Sequence, residues 1–341
     1  MRWLAKAVLQ KGIGALPASE SVNYAFQRRV SRSLPTSEVT FKRKFGRALS
    51  HHGAYVEHGP QRDVGEAVFY EFGAGWDLAI QLSYWSLGVH RQVLVDIRPN
   101  LRLELVNTTI GRLHRLHGEL EEEAGRTLRD PGAGAVDSAA ELEERFGIAY
   151  VAPQDARATG LESESIDFVS STNTLEHIPA RDIVPILAEC RRLLRPNGVI
   201  SSRIDLRDHF CDADAGLSSY NFLRYSDRAW RLLNSSVMYQ NRLREPDYLR
   251  SFADAGLTIV TKAATHPTAE QLTALRNLDL APRFRSYPLE ELAVQALVVI
   301  ACPEATGSPD ADEELENVRP RGGAWVGTSA RPGSGGLGDD R

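Results

Sequence analysis

Two polar stretches in the middle of the chain have the composition of a catalytic site. Residues 172–179 read Thr-Asn-Thr-Leu-Glu-His-Ile-Pro, and a second stretch begins at Asp205 and includes Asp208 and His209. An imidazole with a pKa near 6.5 can accept a proton from a hydroxyl at neutral pH, so His177 suits a general base. A histidine that only holds its loop, or carboxylates that only cap the next element, would explain the same residues equally well.

A glycine-rich segment nearer the amino terminus has the chemistry of a nucleotide-binding turn. Residues 68–77 read Val-Phe-Tyr-Glu-Phe-Gly-Ala-Gly-Trp-Asp, an apolar run that leads into Gly73 and Gly75. Glycines let the backbone turn sharply and approach a ligand closely. Asp96 follows Gly75 by about twenty residues, where the second strand of a Rossmann-type unit presents a carboxylate to ribose hydroxyls. Leu78 stands where a dinucleotide fingerprint needs a third glycine, which disfavours a bound pyrophosphate.

The elements that must position these residues alternate between strands and helices. Apolar runs predict strands over residues 68–72, 93–96, 148–153, 165–171 and 199–205, and runs at 258–261 and 294–301 predict a closing antiparallel hairpin. We therefore expect an α/β fold: a Rossmann-like, seven-stranded, mostly parallel sheet with an antiparallel last strand, helices on both faces and an N-terminal helical segment. Because ligands bind at the carboxyl ends of strands in such sheets, the polar stretches should meet at one edge.

Four motifs in order resemble the class I S-adenosylmethionine-dependent methyltransferases. They are Glu-x-Gly-x-Gly at residues 71–75, the acid Asp96, Leu-Glu-His-Ile at 175–178 and Leu-Arg-Pro-Asn-Gly at 194–198. The resemblance covers roughly residues 64–301 and implies S-adenosylmethionine as cofactor. It implies that the first acid and the glycine turn hold the methionine part, the second acid the ribose, and an acid after strand three the adenine. The cofactor-binding residues expected from it are Glu71, Gly73, Ala74, Gly75, Asp96, Ile97, Asp155, Ala156 and Asn173.

The resemblance implies an in-line attack of a substrate nucleophile on the methyl sulfonium, with positioning as the main contribution of the enzyme. We expect O-methylation of a small molecule or glycan, with His177, Asp205 and His209 as candidate catalytic residues. The chain lacks the Asn/Asp-Pro-Pro-Tyr motif used to methylate nucleobase or amide nitrogens. Two alternatives stay open: a non-catalytic member that binds the cofactor without turnover, and an RNA or protein methyltransferase that uses a basic amino terminus.

Basic residues are concentrated at the amino terminus. The first fifty residues carry ten Lys or Arg against two acids, whereas the whole chain has a net charge of −5. This segment could face an anionic substrate, RNA or, as a peripheral contact, a membrane surface. A solvated basic face on helices that pack over the domain is an equally good interpretation, and we expect no DNA partner. The oligomeric state stays open.

Cysteine and histidine spacing predicts neither a disulfide nor a metal site. Cys190, Cys211 and Cys302 lie far apart, which fits a reducing cytoplasm. His51, His52 and His58 lack metal-ligand spacing, and the glycines beside them indicate a loop, which we expect to line the mouth of the active site. No run of eighteen apolar residues is present, which predicts no spanning helix, and the start is a poor signal peptide.

Three regions are expected along the chain. Residues 1–60 form a basic helical cap, and residues 61–302 form the cofactor-binding domain, with insertions at 101–147 and 211–245. The second insertion interleaves aromatic residues with arginines, which suits a sugar or an anionic metabolite and equally suits a small helical subdomain. Residues 303–341 have too few apolar residues for a core, and we expect disorder there.

Overall fold

A twisted sheet lies at the centre of the computed structural model, which describes residues 2–14, 19–29, 34–214 and 216–304. The strands are β1 (Val68–Phe72), β2 (Arg91–Val95), β3 (Ile148–Val151), β4 (Ile166–Thr172), β5 (Leu194–Asp205), β6 (Leu257–Thr265) and β7 (Ala296–Pro303). They form one seven-stranded sheet in the order β3-β2-β1-β4-β5-β7-β6. β1 to β5 pair in parallel, and β7 is antiparallel to both β5 and β6. The predicted fold class, including the antiparallel last strand, is confirmed.

Helices cover both faces of this sheet, as expected for parallel strands joined by crossovers. The helices are α1 (Arg2–Gly14), α2 (Ser19–Arg29), α3 (Glu38–His58), α4 (Ala79–Ser86), α5 (Leu103–Arg115), α6 (His117–Ala124), α7 (Ala139–Phe146), α8 (Ala180–Leu193), α9 (Asp227–Leu233), α10 (Glu245–Asp254), α11 (Ala269–Arg276) and α12 (Leu289–Ala293). Successive residues of β1 point to opposite faces. Phe69 packs with α3 and α4, whereas Tyr70 packs with α8 and α10.

The two predicted insertions both form helices with buried apolar faces. The first carries α5, α6 and α7, whose leucines pack against Phe41 and Phe45 of α3. α7 begins after Ser138, whose hydroxyl accepts from the Glu141 N–H at 3.1 Å. The second insertion packs its aromatic residues against Trp3 of α1. The domain boundaries drawn from the sequence stay predictions.

The loop predicted around the three histidines is wrong, because α3 continues through His58. Gly53 is tolerated within this helix at a modest propensity cost. His51 is buried under the sheet, with Nδ1 2.7 Å from Ser201 Oγ and Nε2 3.2 Å from Thr172 Oγ1. Burial lowers the pKa of His51 to about 3, so this imidazole is a neutral hydrogen-bonding group of the core.

The described part of the chain has no helix with the length and hydropathy needed to cross a membrane. Of the predicted disordered tail, residues 305–341 lie outside the described residues, and Pro303 belongs to β7. β5 begins earlier than predicted, at Leu194, which pairs with Ile166 before a register shift. The residues Arg195 to Gly198 therefore belong to the irregular start of this strand.

Candidate functional site

A cavity of about 450 Å³ opens where β1, β2 and β4 end. Phe72 and Gly73 line it from β1 and its turn, Val95 and Asp96 from β2, and Thr174 and His177 from the loop after β4. The predicted meeting of polar stretches at the carboxyl edge of the sheet is therefore observed for these three strands. None of the three histidines of α3 is among the residues around this cavity, so the expectation that they line its mouth was wrong.

The turn after β1 depends on glycine at Gly73. This residue has φ +74°, and its N–H donates to the Val95 carbonyl at 2.9 Å. A Cβ at Gly73 would lie 2.5 Å from Cγ2 of Thr174, so the turn packs directly against the loop after β4. Gly75 has φ +78°, and a Cβ there would meet no described atom within 4 Å. Neither Ala74 nor Gly75 is among the residues that line the cavity.

Glu71 lies behind this turn and does not line the cavity. Its carboxylate is buried, and Ser170 Oγ of the neighbouring strand β4 donates to Oε2 at 3.0 Å. Burial raises the pKa of Glu71 to about 7. In this position the Glu71 side chain links β1 to β4 through its hydrogen bond with Ser170, and it does not face the cavity.

Asp96 is buried at the end of β2 and lines the cavity. Tyr150 donates its hydroxyl hydrogen to Oδ2 of Asp96 at 3.1 Å, which leaves lone pairs of the carboxylate without a protein donor among the described residues. Burial raises the pKa of Asp96 to about 7, and the Tyr150 hydrogen bond opposes this shift. The next residue, Ile97, also lines the cavity and is 66% exposed, so its side chain offers an apolar surface.

Asp155 and Ala156 line the cavity beyond β3. The Asp155 carboxylate pairs with Arg157, whose Nη2 lies 2.6 Å from Oδ2, and these hydrogen bonds hold the pKa of Asp155 below its usual range. Asn173 is absent from the cavity lining. It adopts φ +53°, donates its N–H to the Arg203 carbonyl at 2.7 Å and buries an Oδ1 that has no partner among the described residues.

His177 presents one ring nitrogen as a free acceptor. Its Nδ1 lies 2.6 Å from the Tyr239 carbonyl oxygen. Because a carbonyl only accepts, Nδ1 carries the proton and Nε2 carries a lone pair. Burial lowers the pKa of His177 below its ordinary value, so the ring is neutral near pH 7. His177 also lines the cavity.

His209 and Asp205 lie beside His177. The two imidazole centroids are 5.0 Å apart in an edge-on arrangement, and His209 Nε2 is 3.7 Å from Asp205 Oδ2. Burial and the neighbouring His177 lower the pKa of His209 to about 4. Burial would raise the pKa of Asp205, but the bidentate hydrogen bonds from Arg207 hold it below its usual range. The predicted catalytic trio is therefore brought together, with His177 as its member on the cavity wall.

Glu176 completes this cluster, although we did not predict it as a site residue. Its Oε1 accepts from the Asp205 N–H at 3.2 Å, whereas Oε2 is buried without a partner in the described chain. Burial raises the pKa of Glu176 to about 8. Ligand atoms of Glu176, His177 and His209 all lie within 4.8 Å of one another, an arrangement that could hold a metal ion.

Several further cavity residues were not predicted. Ser236 and Tyr239 reach the cavity from the second insertion. Asp182 lines it from α8, and Arg157 lines it from the loop after β3. The mixture of aromatic residues and arginines in the insertion was the available signal for Tyr239. Ser236 has no distinguishing sequence context.

One family model and several solved structures are similar to parts of this chain. A family model described as a methyltransferase domain matches residues 120–202, which include β3, β4, α8 and the His177 loop. Among solved structures, a geranyl diphosphate C-methyltransferase from Streptomyces coelicolor A3(2) is 12% identical, with 79% of this chain and 84% of that chain covered and a TM-score of 0.42.

Two further solved structures are similar at the same level. A SAM-dependent methyltransferase from Methanosarcina mazei is 14% identical, with 73% of this chain and 96% of that chain covered and a TM-score of 0.41. The CurJ carbon methyltransferase is 14% identical, with 89% and 67% covered and a TM-score of 0.44. No curated protein matches the chain.

Proposed function

We propose that this chain is a class I S-adenosylmethionine-dependent methyltransferase that methylates a hydroxyl oxygen of a small molecule or glycan. Its methyltransferase-domain match and its sheet order support the family. The observation that carries this proposal is the free ring nitrogen of His177 on the cavity wall. Nδ1 of His177 is committed to the Tyr239 carbonyl, so Nε2 carries a lone pair, and ligand atoms of Glu176 and His209 lie within 4.8 Å of one of this residue's own. A hydroxyl must lose its proton when its oxygen is methylated, and the lone pair of His177 can accept that proton.

The residues at the other side of the cavity fit the cofactor. The Asp96 carboxylate has lone pairs available for ribose hydroxyls, and the exposed Ile97 offers an apolar contact for a flat base. We assign Asp155 and Ala156 to the adenine side and Gly73 to the methionine side. Glu71, Ala74, Gly75 and Asn173 are assigned to holding the turn and the loop that shape the cavity.

When bound, the cofactor would supply an electrophilic methyl group on a positively charged sulfur, and that sulfur would keep the electron pair of the carbon–sulfur bond. His177 orients the acceptor, because its lone pair on Nε2 receives a hydrogen bond from the hydroxyl. The hydroxyl proton passes to this same Nε2 of His177. His209 and Asp205 hold the acceptor side of the pocket in place behind His177.

Charge pairing at the amino terminus supports a small acceptor over RNA. Lys44 pairs with Asp77 at 2.8 Å, and Arg28 pairs with Glu104 at 3.0 Å. Lys42 also contacts Glu119. These ion pairs reduce the positive potential that a phosphate backbone would need. The basic residues of this segment thus serve, in part, to attach α2 and α3 to the first insertion.

Methyl transfer from S-adenosylmethionine carrying a ¹³C methyl group tests the proposal. The wild type is incubated with a panel of hydroxyl, amine and carbon acceptors, and NMR identifies the atom that receives the label. We expect O–CH₃ products, and His177→Ala should lower turnover by about 10²-fold or more while cofactor affinity changes little. His114→Ala, at an exposed histidine beside Asp130, is the matched control and should retain full turnover. Labelling of nitrogen or carbon alone would contradict the proposal, as would full turnover by His177→Ala.

A further inference from the structure

We propose that Glu176, His177 and His209 form a binding site for a divalent transition-metal cation. The three residues come from two separate segments that the sheet brings together, the loop after β4 and the loop after β5. One ligand atom from each residue lies within 4.8 Å of the other two. Small movements of these side chains would bring all three atoms to coordination distance of a single ion, about 2.0–2.2 Å from each.

The free atoms of this cluster support a ligand at its centre. Glu176 Oε2 and His209 Nε2 are buried and have no hydrogen-bond partner in the described part of the chain. Nε2 of His177 carries a lone pair, because Nδ1 is committed to the Tyr239 carbonyl. A buried polar atom without a partner costs about 1–3 kcal/mol. The two buried atoms without a partner, together with the lone pair of His177, are accounted for if a cation binds between these residues.

The surrounding hydrogen bonds are those that orient metal ligands. The Tyr239 carbonyl fixes the tautomer and the ring direction of His177. The Asp205 N–H holds Glu176 Oε1 at 3.2 Å, which leaves Oε2 as the ligand atom. The side chain of Gln240 accepts from the His209 N–H at 3.1 Å and so positions the start of that loop. The carboxylate of Asp205, 3.7 Å from His209 Nε2, adds negative charge next to the site.

The ligand set selects the kind of ion. Two imidazoles and one carboxylate bind zinc and related transition metals, whereas magnesium and calcium prefer sites built from oxygen atoms. Three protein ligands leave open coordination positions, as catalytic sites require. Because His177 also lines the cavity, these open positions lie on the side of the acceptor.

The consequence for catalysis rests on the proposed function. A hydroxyl that binds at an open position would be oriented by the cation in place of a direct hydrogen bond to His177. A bound cation also lowers the pKa of such a hydroxyl, so its proton leaves more readily. Methyl transfer would then require the metal, whereas binding of the metal requires neither cofactor nor acceptor.

Metal uptake by the full chain tests the site without any methyl transfer. The wild type is dialysed against a chelator and titrated with Zn²⁺ in competition with a chromophoric chelator, and separately with Co²⁺, whose visible absorption reports its ligands. We expect one tightly bound equivalent. Glu176→Gln and His209→Asn should each weaken Zn²⁺ binding by at least about a hundredfold, since even the loss of a residue that only orients a ligand costs about 10–100-fold.

The controls separate a metal site from misfolding and from the proposed function. His114→Ala removes an exposed histidine beside a carboxylate and should bind Zn²⁺ as the wild type does. Thermal unfolding checks each variant, and Glu176→Gln keeps an oxygen for the Asp205 N–H if His209→Asn fails to fold. Equal Zn²⁺ affinity of the wild type and Glu176→Gln overturns the site. If the metal-free chain forms O-methyl products at full rate, the role of the metal is wrong while the proposed function stands.

Discussion

Cofactor affinity should fall as the pH is lowered through 7, because Asp96 must be ionised to accept hydrogen bonds from both ribose hydroxyls. Burial raises the pKa of this carboxyl to about 7, far above the ordinary value of 3.8. Above that pH the free protein already carries the carboxylate. Below it, the carboxyl must first lose its proton. Each pH unit below 7 therefore weakens the binding free energy of the cofactor by about 1.4 kcal/mol, which is tenfold in affinity. Between pH 8 and pH 5.5 the ionised fraction and the affinity should fall about thirtyfold.

The neighbours of Asp96 define the control variants. Tyr150 on β3 donates to the carboxylate, and Glu71 on β1 is a second buried acid whose pKa is raised to about 7. Glu71 does not line the cavity, so Glu71→Gln should keep the pH dependence, whereas Asp96→Asn should remove it. The other ionisable residues around the cavity are Arg98, Asp155, Arg157, His177, Asp182 and Tyr239.

Calorimetric titration with S-adenosylhomocysteine at several pH values measures this effect. At pH 8 we expect Asp96→Asn to bind about 10–100-fold more weakly than the wild type, since it loses a charge-assisted hydrogen bond worth about 1.5–3 kcal/mol. An affinity of the wild type that does not change with pH would refute the reasoning. The same pH dependence in Asp96→Asn would refute it too, because the titrating group would then lie elsewhere.

Two stability predictions follow, one from the packing of the turn after β1 and one from a buried ion pair at the start of β4. Gly73→Ala should lower the free energy of unfolding by about 2–5 kcal/mol, from left-handed strain and overlap with Thr174, whereas Gly75→Ala adds the strain alone, about 1–2 kcal/mol. Equal losses in urea denaturation would contradict this packing. Asp167→Ala should cost about 3–5 kcal/mol, because the buried carboxylate accepts from Arg195 Nη1 at 2.6 Å. A loss of unfolding free energy below about 1 kcal/mol in the same assay would contradict this prediction, because the pair would then stabilise the fold no more than an exposed ion pair does.

The sheet could be predicted because its signals are local. The central parallel strands β1 and β4 are buried on both faces and therefore appear as short apolar runs, and β1 to β4 lie close to the predicted ranges. The turn at Gly73 could also be predicted, because glycine is the residue that suits a φ of +74° and the narrow space beside Thr174. Asp96 followed from its distance to that turn. The residue types alone carried these inferences.

The acceptor side depended on contacts that residue types do not encode. The tautomer of His177 is set by the backbone carbonyl of Tyr239, which any residue would supply from sixty-two positions away. Glu176 matters because one of its oxygens is buried without a partner, a property that arises only when β4 and β5 lie side by side. The second half of α3 was missed because Gly53 indicated a loop, although it lies within the helix.

A crystal structure of the chain with S-adenosylhomocysteine tests most directly whether the cavity at the carboxyl ends of β1 and β2 holds the cofactor. We expect the ribose hydroxyls within hydrogen-bond distance of the Asp96 carboxylate, with the sulfur on the side of Thr174 and His177. The cluster of Glu176, His177 and His209 should then lie beyond the sulfur, facing the acceptor. A ligand bound outside this cavity, or a ribose turned away from Asp96, would contradict the assignment.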